Sequence, residues 1–243
     1  MSFKRSFLVL FLAFLIAGCV DKPEPALVVS VPDQPEVVRV GFTPALAQYS
    51  ETLQACAVEV AVLMEELPWP RLQEEDYDVM LVFGEKEKNL SDQVYQLGQA
   101  QIVFIVHPEL PYDALSLTHL RDIYHGTMTD WSEVAVTSSY AGIIQPWGYM
   151  EETEIMTSIL TMLDVTETSG QWFVVPGPAE MVEQVSQAPN AIGIVPAFAV
   201  TDDVRVLTTA DEVSPNIPIL AIWSVEPSDM QQNWLLCVQE AMQ

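Results

Sequence analysis

The chain has 243 residues, 34 of them acidic and 9 basic, for a formal net charge of −25 at pH 7. A field of that sign repels nucleic acid and anionic lipid headgroups, so no nucleic-acid partner is expected. Half of the residues are hydrophobic and 18% are charged, enough for a sizeable core in one large domain or two modest lobes.

Residues 1–18 read as a lipoprotein signal peptide. Lys4 and Arg5 form its charged start, and Phe7 to Ile16 is an apolar run too short for a typical spanning helix. Ile16-Ala17-Gly18-Cys19 resembles the lipobox of bacterial lipoproteins, which implies that the Cys19 thiol takes the lipid. Pro23, Pro25, Pro32 and Pro35 mark residues 19–36 as an extended tether. Cys56 and Cys237 remain. Both fall on apolar faces, and the sequence leaves open a disulfide or two buried thiols.

Val37 to Phe42 reads as a first strand. Thr43-Pro44 follows, a capping residue and then a proline suited to a first helical turn. The Thr43 hydroxyl is expected to cap that helix rather than to hold a ligand. Leu46, Tyr49, Leu53, Cys56, Val60, Leu63 and Leu67 recur in steps of three and four, which predicts one amphipathic helix over residues 45–67, ended by Pro68 and Pro70. Asp78 to Phe83 is a buried strand and Gly84 to Asn89 a charged turn. Gln101 to Val106 reads as a central strand covered on both faces. A helix capped by Thr118 carries Leu117, Leu120, Ile123 and Tyr124 on one face; Gly126 stops it and Trp131 anchors the turn beyond. A short strand over residues 143–146 precedes a helix over residues 152–163. Gly177-Pro178 opens a helix to Gln187, and Asn190 to Pro196 is a strand with Gly193 inside it. Strands over residues 204–207 and 217–223 and a helix over residues 228–242, capped by Ser228, close the pattern. Strands alternating with helices predict α/β layers.

The run Leu117 to Trp131, with its apolar, Gly126 and Trp131 positions in step, resembles a segment of phosphate-binding proteins of ABC importers, members of the type 2 periplasmic-binding superfamily. The strand at Gln101–Val106, the strand at Ile143–Pro146 and the run Ala191-Ile192-Gly193-Ile194-Val195-Pro196 follow in the family's order. The resemblance implies a two-lobed α/β type 2 periplasmic-binding-protein fold with two hinge crossings. Lobe I would hold residues 37–105 and 202–243, and lobe II residues 106–201.

In that family an oxyanion is held between the lobes by helix N-termini and hydroxyls. The matching places here are the turn at Thr43, the turn at Gly84, and the run Trp147-Gly148-Tyr149-Met150-Glu151-Glu152-Thr153. Phe83 and Glu85 stand where the family often has a small hydroxyl residue and an arginine. Glu151 and Glu152 stand where it has a Ser-Gly-Thr turn, and they can also serve to cap their own helix. Trp147, Tyr149 and Trp172 suit either a cleft wall or the core. The expected ligand is therefore a neutral or cationic solute held by Thr43, Gly84, Tyr149, Glu151, Glu152 and Thr153, with tight phosphate binding not expected. Lys86 or Lys88 reaching the cleft would oppose that inference.

His119, Asp122 and His125 have a spacing that matches neither H-E-x-x-H nor a zinc-finger framework, and they read as a solvated helix face. No G-x-S-x-G, P-loop or G-x-G-x-x-G pattern is present. No enzyme activity, cofactor or metal is expected. The implied function is a monomeric, lipid-anchored solute-binding protein outside the cytoplasmic membrane, partnered by a small solute and an ABC permease. The alternative is a sensor, assembly or envelope interaction module that keeps the fold without its anion site.

Overall fold

The computed structural model describes residues 35–72, 76–84, 93–134, 140–165, 172–210 and 214–242. The segments predicted as signal peptide and, as far as residue 34, tether, with Cys19, and the predicted turn containing Glu85, Lys86 and Lys88 lie outside them. Among the described residues no helix is long and apolar enough to cross a membrane.

Strand β1 (Glu36–Phe42) buries Val38, Val40 and Phe42 on alternate positions. A 3₁₀ turn (Pro44–Tyr49) and α1 (Ser50–Ala55) follow. The predicted helix over residues 45–67 ends there: Val60–Glu66 is β2, parallel to β1 from Glu36 opposite Val60 to Phe42 opposite Glu66. The spacing misled because Val60 and Leu63 extend the helical period by chance. The same stretch holds Val58, Val60 and Val62, whose β-branched side chains suit a pleated surface. No glycine or proline marks the turn at residues 56–59.

The chain continues through α2 (Trp69–Leu72), β3 (Val79–Phe83) and β4 (Gln93–Val106). Next come β5 (Ala114–Leu115), α3 (Leu117–His125), β6 (Gln145–Gly148), α4 (Glu154–Met162) and β7 (Phe173–Val174). The rest is α5 (Pro178–Gln187), β8 (Ala191–Pro196), β9 (Arg205–Thr209), β10 (Asn216–Trp223) and α6 (Asp229–Ala241).

The strands form one hydrogen-bonded sheet in the order β2-β1-β3-β10-β4-β8-β6-β7, with β5 and β9 paired off this path, and its two halves share β4, a strand of 14 residues. Its Gln93–Gln101 portion pairs antiparallel with β10, beside β3, β1 and β2. From Ile102 to Val106 it pairs with β8, and its last three residues also pair with β9. Strands β6 and β7 extend the β8 side in parallel. The chain thus passes from one half of the sheet to the other twice, inside β4 and between β9 and β10. Strand β9, assigned from the sequence to the first lobe, hydrogen-bonds to β5 and to the second portion of β4.

The sequence showed only the second portion of β4, because Gln93, Gln96, Gln99 and Gln101 interrupt the apolar pattern of the first. In α3 the cap is Ser116, whose hydroxyl accepts the His119 N–H at 3.1 Å, two residues before the expected Thr118. Gly126 stops this helix at φ 82°, where a side chain would be strained. Trp131 is fully buried and its indole N–H donates to the Asn190 carbonyl at 3.0 Å. Gly193 allows α5 to pack on β8: a Cβ there would lie 2.7 Å from the Met181 sulfur. Ser228 and Gln231 form a capping box that starts α6. Cys56 and Cys237 are joined in a disulfide, 181 residues apart, fastening the end of α1 to α6. The Trp234 indole reinforces that junction by donating to the Leu53 carbonyl at 3.1 Å.

Candidate functional site

Strands β1 and β6 end facing a common cavity of about 270 Å³. Thr43, Pro44 and Ala45 line it from the turn after β1, and Glu66 and Pro68 from the end of β2. Tyr149, Met150, Thr153, Glu154 and Ile155 line it from the turn after β6 and the start of α4, with Val175 and Pro176 beyond β7. A crevice beyond the carboxyl ends of parallel strands is where open α/β sheets hold ligands.

Thr43 is 4% exposed, and its hydroxyl oxygen is buried with no hydrogen-bond partner among the described residues. The capping role expected for it is not what the structure shows: its side chain makes no cap bond. Pro44 has no N–H to offer. The Leu46 N–H goes to the Thr43 backbone carbonyl at 2.9 Å, closing the tight 3₁₀ turn. A buried hydroxyl left this way forfeits its hydrogen bond whenever the cavity holds nothing for it.

No family model and no curated protein matches the chain. Solved structures do. An ABC-type phosphate transport receptor from Vibrio cholerae superposes with a TM-score of 0.64 at 14% identity, over 84% of this chain and 93% of that one. A Clostridium perfringens protein, described as a phosphate ABC transporter substrate-binding protein and solved with bound phosphate, superposes at 0.70 with 15% identity, over 84% and 93%. The reduced OxyR regulatory domain from Pseudomonas aeruginosa superposes at 0.61 with 10% identity, over 86% and 97%. Likeness at these identities carries the fold alone. The chain has the type 2 periplasmic-binding fold.

Within that periplasmic-binding fold the residues named from the sequence fall into two groups. Thr43, Tyr149 and Thr153 line the one cavity. Tyr149 contributes its ring: it is 3% exposed and its hydroxyl donates to the Ile194 carbonyl of β8 at 2.8 Å. Burial pushes that phenol far above its ordinary pKa, with a smaller push from the Glu180 carboxylate. The Thr153 hydroxyl is committed to its own helix, donating to the Met150 carbonyl at 2.8 Å and accepting the Met156 N–H at 3.4 Å. Glu151 and Glu152 are exposed on the turn and are not among the cavity-lining residues. Gly84, at φ 79°, donates its N–H to the Pro218 carbonyl at 2.8 Å. A side chain added there would come 3.8 Å from the Glu154 Cβ, so Gly84 lies against the start of α4, and it is not among the cavity-lining residues.

The sequence did not single out Glu154 or Glu66, the two carboxylates that do line the cavity. Helix α4 was expected from Glu152 and begins at Glu154. The signal that places it is Thr153, the better N-cap residue, which puts Glu154 in the first helical position. Glu66 was hidden by the helix assigned over β2. No lysine or arginine is among the described lining residues, and Lys86 and Lys88 lie outside the described residues. Among the described residues no group of three or more His, Cys, Asp or Glu is arranged to hold a metal ion.

Proposed function

We propose that this chain is an extracytoplasmic solute-binding protein of an ABC import system, anchored by lipid at Cys19, whose cleft does not hold phosphate tightly. The observation that carries the reading is the buried, unpartnered Thr43 hydroxyl in a cavity shared by the ends of β1 and β6. A site assembled from strand ends on both sides of β4, with two chain crossings between them, suits a cleft that opens and closes on a solute. The names of the Vibrio cholerae and Clostridium perfringens structures supply the transport class.

Phosphate is disfavoured by the lining. A dianion needs several convergent donors. Here the Thr153 hydroxyl is engaged with its own helix, and Glu66 and Glu154 bring carboxylates instead. Two like charges about 4 Å apart repel by about 4 kcal/mol at an effective dielectric near 20. One hydroxyl and one helix dipole, each contributing about 1 kcal/mol, do not offset that. Calorimetric titration with phosphate at low and physiological salt tests the reading, with no heat expected below millimolar concentrations. Micromolar binding overturns it.

The second reading, a sensor or envelope interaction module, draws on the likeness to OxyR regulatory domains. Co-purification from detergent-solubilised membranes separates the two, because only the importer reading expects a permease to accompany the protein.

A further inference from the structure

Given a solute-binding cleft, we infer that its solute is a compact apolar molecule with a single ammonium head, and that Glu154 is the residue that makes this choice. The cavity, at about 270 Å³, is just below the usual range of small-molecule sites, roughly 300–1,000 Å³. Its walls at Pro44, Met150, Ile155 and Val175 are apolar. That geometry selects a small body with little polar surface.

The polar side-chain groups at the cavity are oxygens, and of its two carboxylates Glu66 is exposed to solvent whereas Glu154 is half-buried. Thr43 is 96% buried by its 4% exposure, and its hydroxyl has no partner among the described residues. Glu154 holds the first position of α4, a helix of nine residues. The positive end of a helix attracts an anion. In this cleft that anion is part of the chain, since the carboxylate is attached to the first residue of the helix. A second anion meets its repulsion. An ammonium group has three donors and no acceptor, so it can donate to Thr43 Oγ1 and still face a carboxylate. An alcohol of the same shape satisfies Thr43 but gains no charge pairing. A carboxylate of the same shape is repelled.

Calorimetry at low salt and pH 7 with three matched probes, n-pentylammonium, 1-pentanol and pentanoate, tests this directly. The wild-type protein is expected to bind the ammonium probe at least tenfold tighter than the alcohol and to give no heat with the carboxylate. Glu154→Gln, which keeps the side-chain shape, is expected to bring the ammonium probe to the affinity of the alcohol and leave the alcohol unchanged. Thr43→Val is expected to weaken ammonium and alcohol together and preserve their ratio. A purely structural Glu154 would not alter the ratio. Should Glu154→Gln lose helix by circular dichroism, the wild-type series alone decides. Pentanoate binding as tightly as pentylammonium, an unchanged ratio in folded Glu154→Gln, or no binding of any probe overturns the inference. The broader solute-binding reading is judged separately, by whether native mass spectrometry of protein purified without added solute shows a bound small molecule of any charge.

Discussion

Thr43 and Thr153 line one cavity from two different walls, each in the turn between a strand and a helical segment. Thr153 spends its hydroxyl on the helix that follows, whereas Thr43 spends its backbone carbonyl and leaves the hydroxyl unused. The difference comes from the next residue. Glu154 extends a regular α-helix that needs a cap, whereas Pro44 removes a donor and forces a tight 3₁₀ turn. Two threonines that look alike in the sequence thus do opposite things, one holding the fold and the other keeping its hydroxyl unused at the cavity. The walls also differ in what secures them. The Thr43 wall is fastened covalently through Cys56 and Cys237, and the Thr153 wall by packing and by the Tyr149 bond to β8.

The largest test of this contrast removes the covalent fastening. The Cys56→Ser/Cys237→Ser double variant is expected to lose about 2–5 kcal/mol of stability in urea unfolding. Hydrogen exchange should show α1 and the residue 44–49 turn losing protection before α4. Equal loss in both would mean that the walls are not independently secured.

Alkaline unfolding comes next. Burial raises the folded-state pKa of Tyr149 and of Tyr124, each above the ordinary value of 10. The folded state therefore holds these protons more tightly than the unfolded chain does. Their stabilisation is complete below pH 10 and is lost as the pH climbs beyond it, at about 1.4 kcal/mol per pH unit for each tyrosine. Tyr149→Phe should flatten the fall of melting temperature between pH 10 and 11. An unchanged slope would show that this phenol is solvated.

The two threonines then give the sharpest pair. Thr153→Ala should cost about 1 kcal/mol through the lost cap. Thr43→Val should leave stability unchanged or raise it by under about 1 kcal/mol, because it removes a buried hydroxyl that has no partner. Urea denaturation of both variants measures the signs. If both lose stability equally, Thr43 is a structural residue like Thr153.

The fold class was legible because caps and apolar periods survive in local sequence. Gly126 after α3, Gly177-Pro178 before α5 and Ser228 before α6 each mark a helix end by a mechanism confined to a few residues. Strand β2 and the first portion of β4 were not legible. Their assignment depends on partners far away in the chain, β1 for one and β10 for the other. Thr43, Tyr149 and Thr153 could be named from the sequence because the family pattern places them. Glu154 could not, since a shift of two residues in a helix start changes which carboxylate faces the cleft. The cysteine pairing is likewise a property of the folded chain, as sequence alone does not fix connectivity.

The bond between Cys56 and Cys237 encloses most of the described chain in one covalent ring. A protease that cuts once at any loop between those residues opens the ring without releasing a fragment. The clipped protein would migrate as one band on a non-reducing gel and as two after reduction. Within that span, damage to a loop and loss of a piece become separate events.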